Sequence, residues 1–284
     1  VTARSFLVRG LLVGLLAGIA TFVVAYTVGE PSVERAIALE ETAAPATDAT
    51  HSHDEGATHS HEESGSTSTP SGTDSSEEAG GHSHDEDEAL VSRSTQSTWG
   101  LLTGTLAVSL ALGGILALVA AGAVGRLGRA GAAQTTAIVA LIGFTSFALV
   151  PFVKYPANPP AVGNADTIGE RTGYYFLFVL ISLVVAVAAT LVALKVRESR
   201  GTYVGLLAGL GLYLVVVVAV GQLLPTVDEV GDFPASTLWS FRLASVITLA
   251  TLWGVLGLGL SGLVGRLHQQ DRAIADRRAL AASL

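Results

Sequence analysis

The chain has no cysteine. That excludes disulfides and any thiolate metal site. It has no methionine either, and without thiolate or thioether ligands a copper(I) pathway is disfavoured. Val1 stands where a methionine is usual, which is expected of a literally translated non-ATG start codon. Charge is scarce, at 14% of residues, and confined to short intervals. No H-E-x-x-H, G-x-S-x-G or P-loop is present, so the chain is not read as an enzyme. The net charge of −8 is no nucleic-acid signature, because the bases flank apolar runs and the acids cluster elsewhere.

Half the residues are hydrophobic. They form runs long enough to cross a hydrocarbon core of ~30 Å. The expected fold is an all-α polytopic membrane protein with six transmembrane helices. They are Phe6–Val28, Thr98–Val124, Thr135–Val153, Tyr174–Leu194, Tyr203–Leu224 and Leu238–Val264. The first run, Phe6 to Tyr26, is long for a signal-peptide core and has no immediate A-x-A site, so it reads as a retained span.

Basic residues set the orientation. Four intervals hold eleven of the sixteen Lys and Arg: the N-terminus, the links after spans two and four, and the C-terminal tail. They hold only three acids, Glu198, Asp271 and Asp276. The other twenty-one acids fall in the opposite intervals. The expectation is a multi-pass protein of the plasma or inner membrane, embedded in the lipid bilayer, with both termini cytoplasmic. Four regions follow: 1–42, the first helix and its outer exit; 43–91, an outer loop; 92–266, a five-helix bundle; 267–284, a cytoplasmic tail.

The outer loop carries the chemistry. It contains His51 and His53, His59 and His61, and His82 and His84, each pair written His-Ser-His and set among carboxylates. Imidazole and carboxylate suit divalent zinc, nickel, cobalt or copper(II), and near neutral pH an unperturbed imidazole is largely uncharged. Ser, Thr, Gly, Pro, Asp and Glu dominate the flanks and cannot bury enough surface to offset chain entropy. The loop is therefore expected to be disordered, acidic and His-rich, capturing metal weakly and reversibly. Its composition does not choose the metal. The seventh histidine, His268, reads as a surface residue of the tail.

Small residues at spacing four predict close helix packing: Gly10, Gly14 and Gly18; Gly100 and Gly104; Gly205 and Gly209; Gly257, Ser261 and Gly265. The outer exits of spans one, three and five combine proline with charge, at Gly29-Glu30-Pro31, Pro151 to Pro160 and Leu224 to Pro234. Proline ends a helix and frees carbonyls, and irregular backbone at membrane depth needs protein or water around it. The exits predict an outer vestibule with Glu30, Lys154, Asn158, Asp228, Glu229, Asp232 and Arg242 as candidate residues. The alternative is ordinary helix stops with interfacial charges. Arg242, inside span six, calls for a partner, with Asp228 or Glu229 the candidates on the same side. Snorkelling to headgroups is its alternative, and Lys154's too. Apart from Arg9 in the basic start of span one, no other position within the spans carries Asp, Glu, His, Lys or Arg. An ion crossing here would have Gln222, Thr103, Thr105, Ser109, Thr145, Ser146, Thr248, Thr251, carbonyls, or a partner.

Taken together, several segments resemble the CbtA family of predicted cobalt transporter subunits. They are Gly29-Glu30-Pro31, Ser94 to Leu101, Pro151 to Gly163, Leu224 to Val230, Phe233-Pro-Ala and Phe241 to Ser245. The resemblance implies cobalt uptake for cobalamin synthesis, with a divalent metal as cargo and no tightly bound cofactor. It also implies a small single-span partner, CbtB, with its own histidine motif. A non-conducting membrane-anchored metal buffer or accessory protein is the alternative reading. The H-x4-D-H signature of nickel/cobalt permeases is absent.

Overall fold

The computed structural model describes residues 2–43 and 92–283, and every regular element among them is helical. Six helices are long and apolar enough to cross a membrane: α1 (Ala3–Thr42), α2 (Arg93–Ala123), α3 (Ala132–Lys154), α4 (Ile168–Arg200), α5 (Thr202–Leu223) and α6 (Ala235–Ala282). Residues 44–91, with the six paired histidines and the expected disorder, lie outside the described residues.

Leu, Ala and Val fill the helices, and a helix satisfies its own backbone where lipid offers no partner. The outward faces are apolar. Leu16, Leu191, Leu206, Val215 and Leu258 are between 61 and 79% exposed. Such faces around a whole bundle are tolerable against acyl chains rather than water. Serine and threonine go inward instead: Ser109, Thr135, Thr136 and Ser182 are fully buried.

One core cluster joins α1, α2, α3 and α6 through Val13, Leu116, Ala140, Leu256 and Leu260. A second gathers Phe178, Tyr213 and Val217 of the α4–α5 hairpin, with Ile142 and Val150 of α3 against it. Inside the hairpin Ser182 and Tyr213 share a buried hydroxyl–hydroxyl hydrogen bond of 2.8 Å.

Glycine sets the closest approaches. A Cβ at Gly14 would stand 2.7 Å from the Ser109 carbonyl oxygen of α2, and one at Gly209 would stand 2.7 Å from the Ala189 carbonyl oxygen of α4. Gly257 and Gly265 face Ala140 and Ala133 of α3. The expectation fails for Gly104, which has nothing within 4 Å, and for Gly100, which meets only its own Thr95 carbonyl. Spacing identifies a stripe without saying whether a helix lies opposite it.

Pro31 does not end the first helix. The chain continues as α-helix through Ala43, after a π-helical turn at Ala25–Gly29. Another π turn, Phe144–Leu149, precedes Pro151 in α3. Proline lacks an N–H and its ring crowds the carbonyl four residues back. The wider turn just upstream shifts that carbonyl and lets the helix run on. Pro225 behaves as expected: α5 stops at Leu223, and Leu224 is extended at φ −75° and ψ 145°.

α6 spans 48 residues, about 72 Å at helical rise. That far exceeds the ~30 Å hydrocarbon core, so its C-terminal turns project beyond it. His268 is not a free surface residue. It is half-buried, its Nδ1 lies 3.1 Å from the Val264 carbonyl oxygen, and its ring meets Phe6 edge to face.

A candidate site at one end of the bundle

The C-terminal ends of α3 and α5 and the N-terminal ends of α4 and α6 gather at one end of the bundle, beside the middle of α1. Between them lies a cavity of about 740 Å³. Gly29 and Ser32 line it from α1, Phe152 and Lys154 from the end of α3, Tyr155 to Asn158 from just beyond it, Arg171 and Tyr175 from α4, Val227 and Val230 from beyond α5, and Phe241, Arg242 and Ser245 from α6.

The ends are tied together by carbonyls that proline releases. Pro225 stops α5, and the Leu224 and Pro225 carbonyls lose their helical partners. Lys154 Nζ donates to the first at 3.2 Å and Tyr155 Oη to the second at 2.8 Å. Lys154 also lies 5.4 Å from the Tyr155 ring centroid, within cation–π range.

Of the seven residues expected at a vestibule, Lys154, Asn158 and Arg242 line this cavity, and the four carboxylates do not. Glu30 pairs with Arg93 at the start of α2. Glu229 is held on three sides. The Thr167 hydroxyl and the Asn164 amide donate to it at 2.7 and 2.9 Å, and Arg171 approaches to 3.3 Å. The Thr167 bond first, then the Asn164 amide and Arg171, hold its carboxyl below the usual range. Glu229 thus stitches the α3–α4 link to the α5–α6 link. Gly163, at φ +113°, lets the Arg171 guanidinium lie where a side chain would clash. Asp228 and Asp232 are exposed, with no ion pair among the described residues.

Arg242 does not pair with Asp228 or Glu229. Its Nη2 donates to Asn158 Oδ1 at 3.0 Å. The reason is positional: Glu229 is already committed to Arg171, and Asp228 faces out. An amide satisfies a guanidinium hydrogen without neutralising it. Arg171 is the residue that sequence reasoning passed over. It lies one turn into α4 in an interval read only for its net negative sign, yet it lines the cavity. Among the described residues, therefore, three cations border the space and no carboxylate does.

The hydroxyls considered for an ion path mostly serve their own helices. Thr248, Thr251 and Ser146 donate to the carbonyl one turn back, at 2.7–2.9 Å. Among the described residues no group of three or more His, Asp or Glu side chains stands ready to hold a metal ion. The six paired histidines are not among those residues.

These features define a multi-pass helical membrane protein with a cavity at one end of its bundle. The CbtA family, described as a probable cobalt transporter subunit, matches residues 3–265. The match covers nearly the whole chain, and the chain belongs to that family. This makes it a transport subunit and not an enzyme. Comparison with curated proteins finds no match, and comparison with solved structures finds none.

Proposed function

We propose that the chain is the membrane subunit of a divalent transition-metal uptake system, with cobalt as cargo. The observation that carries this is the family match over residues 3–265 on six apolar helices. In this reading both termini and the tail 267–284 are cytoplasmic, as the distribution of basic residues supports. Segment 43–91 is then outside the cell membrane. His51, His53, His59, His61, His82 and His84 capture the metal there, and flanking carboxylates raise its local concentration. Release runs to the acidic rim, where Asp228 and Asp232 are exposed and Glu30 and Glu229 stand in ion pairs. A small CbtB-like subunit supplies the deep ligands that the spans lack.

The test is uptake of labelled cobalt by cells expressing the chain with its partner subunit. Deleting the histidine segment should weaken uptake at low metal and spare it at saturation. Loss at every concentration would show that the segment does more than concentrate metal.

A second reading, a membrane-anchored metal buffer with no conduction, draws support from the span interiors. The Ser146, Thr248 and Thr251 hydroxyls there are turned to carbonyls of their own helices. Metal bound without crossing the bilayer would favour that reading.

A further inference from the structure

Lys154, Arg171 and Arg242 reach this cavity from three different helices. Charges in a membrane protein are costly and are normally met by partners. Arg171 has one, Glu229 at 3.3 Å. Among the described residues Lys154 and Arg242 have only neutral acceptors, the Leu224 carbonyl and the Asn158 amide. The Nε–H groups of Arg171 and Arg242 are buried with no acceptor. A buried donor left unmade costs stability. Two of them on side chains bordering one cavity, beside two charges with neutral partners, offer an anion both donors and positive charge.

We propose that this cavity binds a small polycarboxylate anion, of the class that also chelates divalent transition metals. A guanidinium presents donors in a planar fork that matches carboxylate oxygens, and lysine adds a point charge. A space of about 740 Å³ exceeds the need of a lone ion and lies in the range of small-molecule pockets. Phe152, Tyr175 and Phe241 give it apolar walls. A bare dication is repelled by this lining, whereas a metal–polycarboxylate complex with net negative charge is attracted. That last step rests on the uptake reading; the anion site itself rests only on the charge of the lining.

The test is calorimetric titration of the full chain, metal-free, in nanodiscs of uncharged lipid. The probes are citrate, inorganic phosphate and a short-chain phosphatidylglycerol. Citrate should bind saturably and more tightly than the other two. Arg242→Gln and Lys154→Gln should each weaken it roughly tenfold or more, the change expected for one charge-assisted hydrogen bond. If Arg242→Gln does not fold, Lys154→Gln carries the comparison. Absence of citrate binding, or equal affinity in both folded variants, overturns the proposal. Tighter binding of phosphate or of the lipid also overturns it, reassigning the site to a phosphate group. Because metal is excluded, failure here is separate from failure of cobalt uptake.

Discussion

The closest helix pair gives a prediction whose size follows from the geometry. An alanine at Gly14 would place its Cβ 2.7 Å from the Ser109 carbonyl oxygen and 3.0 Å from the Leu110 Cα, both backbone atoms of α2. Ordinary contact begins near 3.4 Å, and a backbone cannot rotate away as a side chain can. α1 and α2 must therefore part by about 0.7 Å, a gap at which neighbouring contacts lose a quarter to a half of their attraction. Overpacking of this kind costs about 1–3 kcal/mol. Alanine also raises helix propensity by about 1 kcal/mol, so Gly14→Ala alone mixes two effects. Gly104→Ala separates them, because it has the same propensity gain and nothing within 4 Å. Unfolding by an SDS titration in mixed micelles, followed by circular dichroism, should place Gly14→Ala about 1–3 kcal/mol below Gly104→Ala. Two variants agreeing within about 0.5 kcal/mol, the scatter of ordinary surface changes, would refute the claim that backbone contact fixes this interface.

Other outcomes follow from the same structure. Tyr213→Phe removes the buried bond to Ser182 and should cost about 0.6 kcal/mol, up to about 1.7, in the same titration; no measurable loss would mean that the hydroxyls do not hold the hairpin. Glu229, held below its reference value of 4.5, stabilises the fold fully above that pH and loses its effect as pH falls through its lower folded value. Thermal scans should therefore show wild type above Glu229→Gln at pH 6, converging in acid; an unchanged gap at low pH would contradict the clamp. Asp228→Ala and Glu30→Ala should lower labelled-cobalt accumulation if the rim receives metal, and unchanged uptake in both would remove it from the path.

The spans were legible because lipid imposes one rule over some twenty residues at a time, and hydropathy records it directly. All six helices are there. Their ends were less legible. Pro31 and Pro151 read as stops, and a π turn before each carried the helix through. Nothing in composition marks a π turn. The glycine stripes were half legible for a related reason: Gly14 and Gly104 look alike in sequence, and only the partner across the interface separates them. Of the residues at the proline-and-charge exits, Lys154, Asn158 and Arg242 line the cavity and the carboxylates do not. Carboxylates such as Glu229 were visible as residues, while their commitment to Arg171 and Thr167 depends on two links that meet only in the fold. The cavity is consequently bordered by cations. The histidine pairs are plain in sequence and lie outside the described residues.

The central claim is that this family member carries cobalt inward through the membrane. The most direct test is influx of labelled cobalt into liposomes containing the chain together with its small partner subunit. Saturable accumulation inside the vesicles, slowed at low metal when 43–91 is deleted, is the result predicted; cobalt that stays bound to the protein and never reaches the lumen would contradict it.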